Sequence, residues 1–175
     1  MVAALVLTGA PGAGKTSALL ELGTRLEIEG VQYGAIESEQ LTMGSPVLSN
    51  EELIPQLAAV LRLQREAGRR LFLIVATIES EADLRGVVDA ARADKVLVVC
   101  LRASPDTVAA RVESREPNSW PGKGALIEHA RELAVLVPQI DGIDLVIDTD
   151  AQSRDGVVEQ ILDALAAHTL LPRTP

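Results

Sequence analysis

One octapeptide constrains this chain more than any other segment: Gly9-Ala10-Pro11-Gly12-Ala13-Gly14-Lys15-Thr16. It fits the spacing G-x-x-x-x-G-K-[ST], a glycine-rich loop that wraps phosphate groups. The flanks suit the motif. The apolar run at residues 2–7 reads as a buried strand, and residues 17–28 read as a helix. Glycines let the backbone curl so that successive N–H groups point inward at phosphate oxygens. The helix that follows adds a partial positive charge, so Ser17 in its first turn belongs to the same cradle. In such a loop Lys15 reaches the β- and γ-phosphates and the Thr16 hydroxyl holds Mg²⁺. At ordinary glycine usage, an accidental match in a chain of this length is on the order of one in a hundred.

The rest of the chain must bury that strand and helix. With 175 residues, 47% of them apolar, it is long enough to do so as one domain. Aromatics are only 2%, so leucine, valine, isoleucine and alanine must fill the core. The net charge of −9 argues against nucleic acid as partner, because such binding needs a basic footprint. Tyr33, Phe72 and Trp120 are too few to make a stacking platform for bases. Cys100 is the sole cysteine and lies within the apolar run 96–101, which reads as buried. The N-terminal apolar stretch has no basic region before it and runs straight into the glycine loop, so it reads as a core strand and not a signal peptide. No run approaches membrane-spanning length, and the cytoplasm is the expected location.

Apolar runs at 2–7, 33–36, 71–76, 96–101 and 145–147 alternate with helical patterns at 15–28, 51–67, 81–91, 105–115, 125–137 and 154–167. That alternation predicts a three-layer α/β domain with a five-stranded parallel sheet flanked by helices, spanning residues 1–168. Asn50 and Ser104 are the expected caps of the second and fourth helices, and Gly30 and Gly68 fit helix C-termini. A tail, 169–175, is expected to fray from residue 170 onward. The stretch 115–124 is rich in Pro, Gly, Asn and Ser, longer than a tight turn needs, and flanked by arginines, which predicts a mobile lid after the fourth strand.

In an open parallel sheet, ligands bind outside the carboxyl ends of the strands. The acids after strands two and three, Glu37, Glu39 and Glu79, should therefore face Lys15 and Thr16. Mg²⁺ needs oxygen ligands, which Thr16 and Glu37 can supply, and a reacting hydroxyl needs a base, for which Glu39 is the candidate. Glu37 and Glu39 alternate, so extended backbone would point them to opposite sides. Glu81 is better placed to start a helix. Arg111 and Arg115 lie one helical turn apart beside the expected lid, where cations stabilise a transferring phosphoryl group. Arg131, in the next helix, is a weaker candidate for substrate contact, and His129 and His168 have no partners at metal-ligand spacing.

Together these residues resemble the small P-loop kinases of the adenylate, shikimate and gluconate kinase type, with chloramphenicol phosphotransferase in the same broad group. The resemblance extends to about residue 165 and implies an ATP-binding phosphotransferase with a lid after strand four. It casts Gly9 to Thr16 as the Walker A loop and likens Glu37-Ser38-Glu39 to the D-x-D of shikimate kinases, whose first acid helps hold Mg²⁺ and whose second serves the reacting hydroxyl. It pairs Arg111 with adenine and Arg115 with phosphates, puts Arg131 where shikimate kinases bind substrate, and sets Ile147-Asp148-Thr149-Asp150 on the adenine side. Strand three departs from the pattern. It ends in Ala76-Thr77-Ile78-Glu79, with neither a Walker B aspartate nor a glycine triplet. No arginine or lysine lies between Arg25 and Arg62, where nucleotide kinases pair a substrate phosphate, so the acceptor is expected to be neutral or cationic. The expected function is transfer of the γ-phosphoryl group of ATP to a hydroxyl of a small non-nucleotide molecule, by a monomer or homodimer. The alternative is a regulatory nucleotide-binding module with weak hydrolysis and no acceptor.

Overall fold

The computed structural model describes residues 1–171. Strands and helices alternate: β1 (Ala3–Thr8), α1 (Lys15–Ile28), β2 (Tyr33–Glu37), α2 (Asn50–Glu66), β3 (Leu71–Val75), α3 (Glu81–Ala91), β4 (Lys95–Arg102), α4 (Pro105–Arg115), α5 (Lys123–Leu136), β5 (Leu145–Asp148) and α6 (Arg154–Ala167). A 3-10 turn, Ser38–Leu41, follows β2 directly. The five strands are all parallel, in the order β2-β3-β1-β4-β5.

The strands are apolar on both faces because helices cover both faces. Ala4, Val6, Phe72 and Ile74 point one way, into a core closed by α2, α3, α4 and α5. Their neighbours Leu5, Leu7, Leu71 and Leu73 point the other way, into a core closed by α1 and α6. Aliphatic side chains carry both cores; Phe72 is the one fully buried aromatic among the large core residues.

This topology positions the site. β1 and β3 are neighbours, paired from Ala3↔Leu71 to Leu7↔Val75, yet α1 leaves β1 toward one face while α3 leaves β3 toward the other. The chain therefore parts at the carboxyl ends of these strands and opens a crevice.

Several boundaries differ from the sequence reading. α2 starts at Asn50, and its cap is Ser49: the Ser49 N–H donates to Glu52 Oε2 at 2.9 Å in a capping box. Asn50 is freed for another contact, its amide donating to Asp83 Oδ1 at 2.7 Å. Those bonds from Ser49 hold the Glu52 carboxyl below the ordinary carboxylate range. Ser104 caps α4 as expected, accepting from Thr107 N–H at 3.2 Å. Gly30 and Gly68 take positive φ at helix ends. The tail does not fray at its first residue. Leu170 is only 2% exposed, packs into the α1/α6 core, and its N–H donates to Leu165 O at 2.9 Å. Residues 172–175 lie outside the described residues.

Candidate active site

The glycine loop follows β1 and is shaped by contacts that only glycine permits. Gly12 has φ +85°, and a Cβ there would stand 2.8 Å from the Val108 carbonyl oxygen of α4. Gly14, with φ +101°, occupies the cap position of α1 without supplying a side-chain bond. No acid sits in the first turn of α1, whereas α2, α3, α4 and α6 each carry at least one there. The leading N–H groups of α1 are thus left without a side-chain acceptor or counter-charge, the arrangement an anion requires.

Lys15 is 8% exposed and donates from Nζ to Gly9 O at 2.7 Å and Ala10 O at 3.2 Å. Burial pushes its ammonium below the ordinary lysine value; the charge of Glu39 opposes that shift, and Arg115 adds to it. One group thus feels both sides of the crevice. The nearby Cys100 thiol is pushed up to about 11 by burial, which removes it as a nucleophile.

A cleft of about 900 Å³ lies over the strand ends. Among the described residues, its lysines and arginines come from the start of α1, α4 and the start of α6, the half around the glycine loop. There Arg111 donates from Nη1 to Gly12 O at 3.1 Å and from Nη2 to Thr149 O at 3.1 Å, linking the glycine loop to the segment after β5. Arg115 reaches the same half and is paired with Glu116 at 2.7 Å, and Arg154 enters from the first residue of α6.

The other half is acidic and apolar. Glu39 comes from the 3-10 turn after β2. Its Oε1 accepts from the Thr77 N–H at 3.1 Å and also from the Thr77 hydroxyl. Glu79, after β3, pairs with His129 Nε2 of α5 at 2.9 Å. Val47, Leu48, Leu53 and Leu126 supply the apolar part of the wall, beside Ser38, Thr42 and Asn50.

No protein-family model and no curated protein matches the chain. Solved structures do. A gluconokinase from Sinorhizobium meliloti 1021 superposes with TM-score 0.66 at 22% identity, over 94% of this chain and 92% of that one. A shikimate kinase from Acinetobacter baumannii, in complex with shikimate, gives 0.61 at 16% identity over 97% and 96%. The Mycobacterium tuberculosis APS kinase in complex with AMPPNP and APS gives 0.65 at 19% identity over 94% and 98%. The fold is that of the small P-loop kinases.

Within this P-loop kinase fold, most expected site residues converge and two do not. The P-loop residues from Pro11 to Ser17, with Glu39, Glu79, Arg111 and Arg115, all line the one cleft, while Gly9 and Ala10 lie behind it and receive Lys15. Glu37 is not in the cleft lining, although its charge acts on Lys15. The chain leaves strand geometry at Ser38, so strict alternation no longer applies, yet the two acids still part: Glu39 lines the cleft and Glu37 does not. Arg131 is absent from the lining, because its guanidinium is turned to Asp106 of α4 at 2.5 Å. Glu81 pairs with Arg85 at 3.7 Å and belongs to α3. The expected lid is the short segment 116–122, which does not line the cleft; only Arg115 does. Lys123 closes that segment on itself, donating to Glu116 O at 2.9 Å and Asn118 Oδ1 at 2.7 Å.

The residues fit a magnesium ion. Glu37 Oε1 is buried with no hydrogen-bond partner, while Oε2 accepts from Gln40 at 2.8 Å. An orphaned carboxylate oxygen beside a phosphate loop suits a cation or its water shell. Among the described residues no group of three or more His, Cys, Asp or Glu could hold a metal. Magnesium is bound by one or two carboxylates together with substrate phosphates.

His129, Thr77 and Arg154 are the cleft residues that sequence reasoning missed. His129 follows Leu126 by three positions on α5 and so shares its face, whereas Arg131 is turned about 200° from His129 around the helix. Helical phase could have separated the two. Thr77 gave no such signal, since its role depends on a turn after β2 that periodicity does not reveal. No helix among the described residues is long and apolar enough to cross a membrane.

Proposed function

We propose that this chain is an ATP-dependent kinase that phosphorylates a hydroxyl group of a small, non-nucleotide molecule, neutral or cationic. The observation that carries the reading is the continuity of the cleft: the P-loop opens into a second, acid-lined half large enough for another small molecule. A regulatory module that only binds nucleotide has no need of that second half. An APS kinase with AMPPNP bound, sharing the fold, supports ATP as the donor.

The chemistry follows from the residues. The α1 N–H groups and Lys15 bind the phosphate chain, Lys15 exchanging its bonds to Gly9 O and Ala10 O for phosphate oxygens. Arg111 and Arg115 orient the nucleotide and offset charge at the transferring group. Thr16 and Glu37 would hold Mg²⁺, which neutralises charge on the β- and γ-phosphates when bound. The acceptor oxygen attacks the γ-phosphorus as the bond from that phosphorus to the β,γ-bridging oxygen breaks. ADP leaves with the electron pair, and the hydroxyl proton passes to Glu39. Thr77 holds Glu39 Oε1, which leaves Oε2 as the proton acceptor.

Lys15→Ala tests the reading. It should abolish ADP formation from Mg·ATP across a panel of hydroxylated metabolites while the far-UV spectrum and thermal midpoint stay near wild type. Turnover at wild-type rate would overturn it.

A further inference from the structure

We propose that the acceptor is an amphiphilic amino alcohol: its hydroxyl meets Glu39, its ammonium meets Glu79, and its apolar body lies on the aliphatic wall. The inference rests on the kinase reading and names the substrate class for it.

Charge comes first. Among the described residues, the lysines and arginines that line the cleft, Lys15, Arg111, Arg115 and Arg154, come from the first residue of α1, from α4 and from the start of α6, the elements around the glycine loop. The one basic group in the other half, His129, is already paired with Glu79 at 2.9 Å. The segment supplying most of that half's floor, from Leu26 to Leu61, contains no lysine or arginine. An anionic acceptor would therefore meet Glu39 and Glu79 with no partner and would also face the bound phosphates. An ammonium is attracted by all of these.

The two carboxylates are not equivalent. Glu39 receives both donors of Thr77 and is fixed for the hydroxyl. Glu79 shares Oε1 with His129; among the described residues its Oε2 has no side-chain bond, and the side chain is about half exposed. That oxygen is available to a cation. Asn50 is held beside this half by Asp83, which occupies its amide nitrogen and leaves its carbonyl oxygen as a further acceptor for an ammonium proton.

The apolar wall is the third element. Leu53 is buried at the base, Leu126 and Leu48 stand beside it, and Val47 is 74% exposed at the rim. Four aliphatic side chains are more than a polyol needs, because a polyol would leave them wet and would bring hydroxyls they cannot bond. They match a branched-alkyl or aryl body.

The probes are leucinol and phenylalaninol, with 4-methylpentan-1-ol as the uncharged analogue and gluconate and shikimate as anionic hydroxyl compounds. Binding is read by calorimetry on the whole protein with Mg²⁺ and a non-hydrolysable ATP analogue, and transfer by labelled γ-phosphate. The expected result is binding and phosphorylation of the amino alcohols, at least tenfold tighter binding than the uncharged alcohol, and none of the anions. Glu79→Gln should cut amino-alcohol affinity about tenfold and leave affinity for the ATP analogue unchanged, which shows the variant is folded. Equal binding of the uncharged alcohol, preference for either anion, an unaffected Glu79→Gln variant, or no amino-alcohol binding beside intact nucleotide binding would each overturn the inference while leaving the kinase reading in place. Absence of nucleotide binding in the wild-type protein overturns the kinase reading itself, and separately.

Discussion

The two halves of the cleft are built on different principles. The phosphate half is backbone: a helix end with no side-chain cap, a loop bent through glycine φ values, and the Arg111 guanidinium tied to main-chain carbonyls. The acidic half is side chains from the turn after β2, the segment after β3, α2 and α5, held by one another through Thr77–Glu39 and His129–Glu79. Backbone sites recognise a charge pattern common to all nucleotides. Side-chain sites can be rewritten one residue at a time, so acceptor choice should reside in the second half.

Separability of the halves is the sharpest way to break this contrast. Glu39→Gln should lower kcat by about 10²–10⁴ and leave nucleotide affinity untouched, since it removes a base and not a phosphate contact. A matched loss of nucleotide affinity, measured by calorimetry, would show the halves are not independent. Gly12→Ala attacks the other side. Its Cβ would meet Val108 O at 2.8 Å in a left-handed backbone, so it should cost roughly 1–3 kcal/mol of stability in denaturant melts and weaken nucleotide binding.

How far the sequence showed each half follows the same division. The glycine loop between β1 and α1 was legible as a loop, because its glycines are written in local spacing. The parallel sheet with helices on both faces was legible from near-continuous apolar runs, whereas the strand order came only with the structure. The acidic half was legible only as candidate acids. Glu79 and Glu39 line the cleft, but Glu37 does not, because the chain turns at Ser38, and Arg131 was lost to Asp106 because its phase on α5 is wrong. Thr77 and His129 gained roles from contacts 38 and 50 residues away in the chain, which no local pattern carries. The α2 cap was misread by one residue because Ser49 and Asn50 are both good caps, and only the reciprocal bond with Glu52 decides between them.

Two finer tests refine the contrast. Thr77→Val removes the hydroxyl but keeps the backbone N–H bond to Glu39; kcat should fall about tenfold at unchanged nucleotide affinity, with Thr77→Ser restoring it. A loss expressed only in KM would instead make Thr77 part of the acceptor wall. Ser49→Ala should cost only about 1 kcal/mol in thermal melts, and because Ser49 starts the helix bearing Asn50 and Leu53, acceptor affinity should soften before nucleotide affinity does.

The grip of α4 on Gly12 has a mechanical consequence. Val108 presses its carbonyl against that glycine, and Arg111 binds the glycine's own oxygen. The helix is thereby the fixed frame of any closing movement. If the segment 116–122 is the lid, the part that moves begins at Glu116, where the backbone turns extended (φ −82°, ψ 138°), and ends where α5 starts at Lys123. A loop of that size, anchored at both ends, can project only about half its contour length, roughly 11 Å. On the proposed reading such a lid is a short flap rather than a hinged cover, and it would leave a large share of the shielding from water to the proposed acceptor's own apolar body.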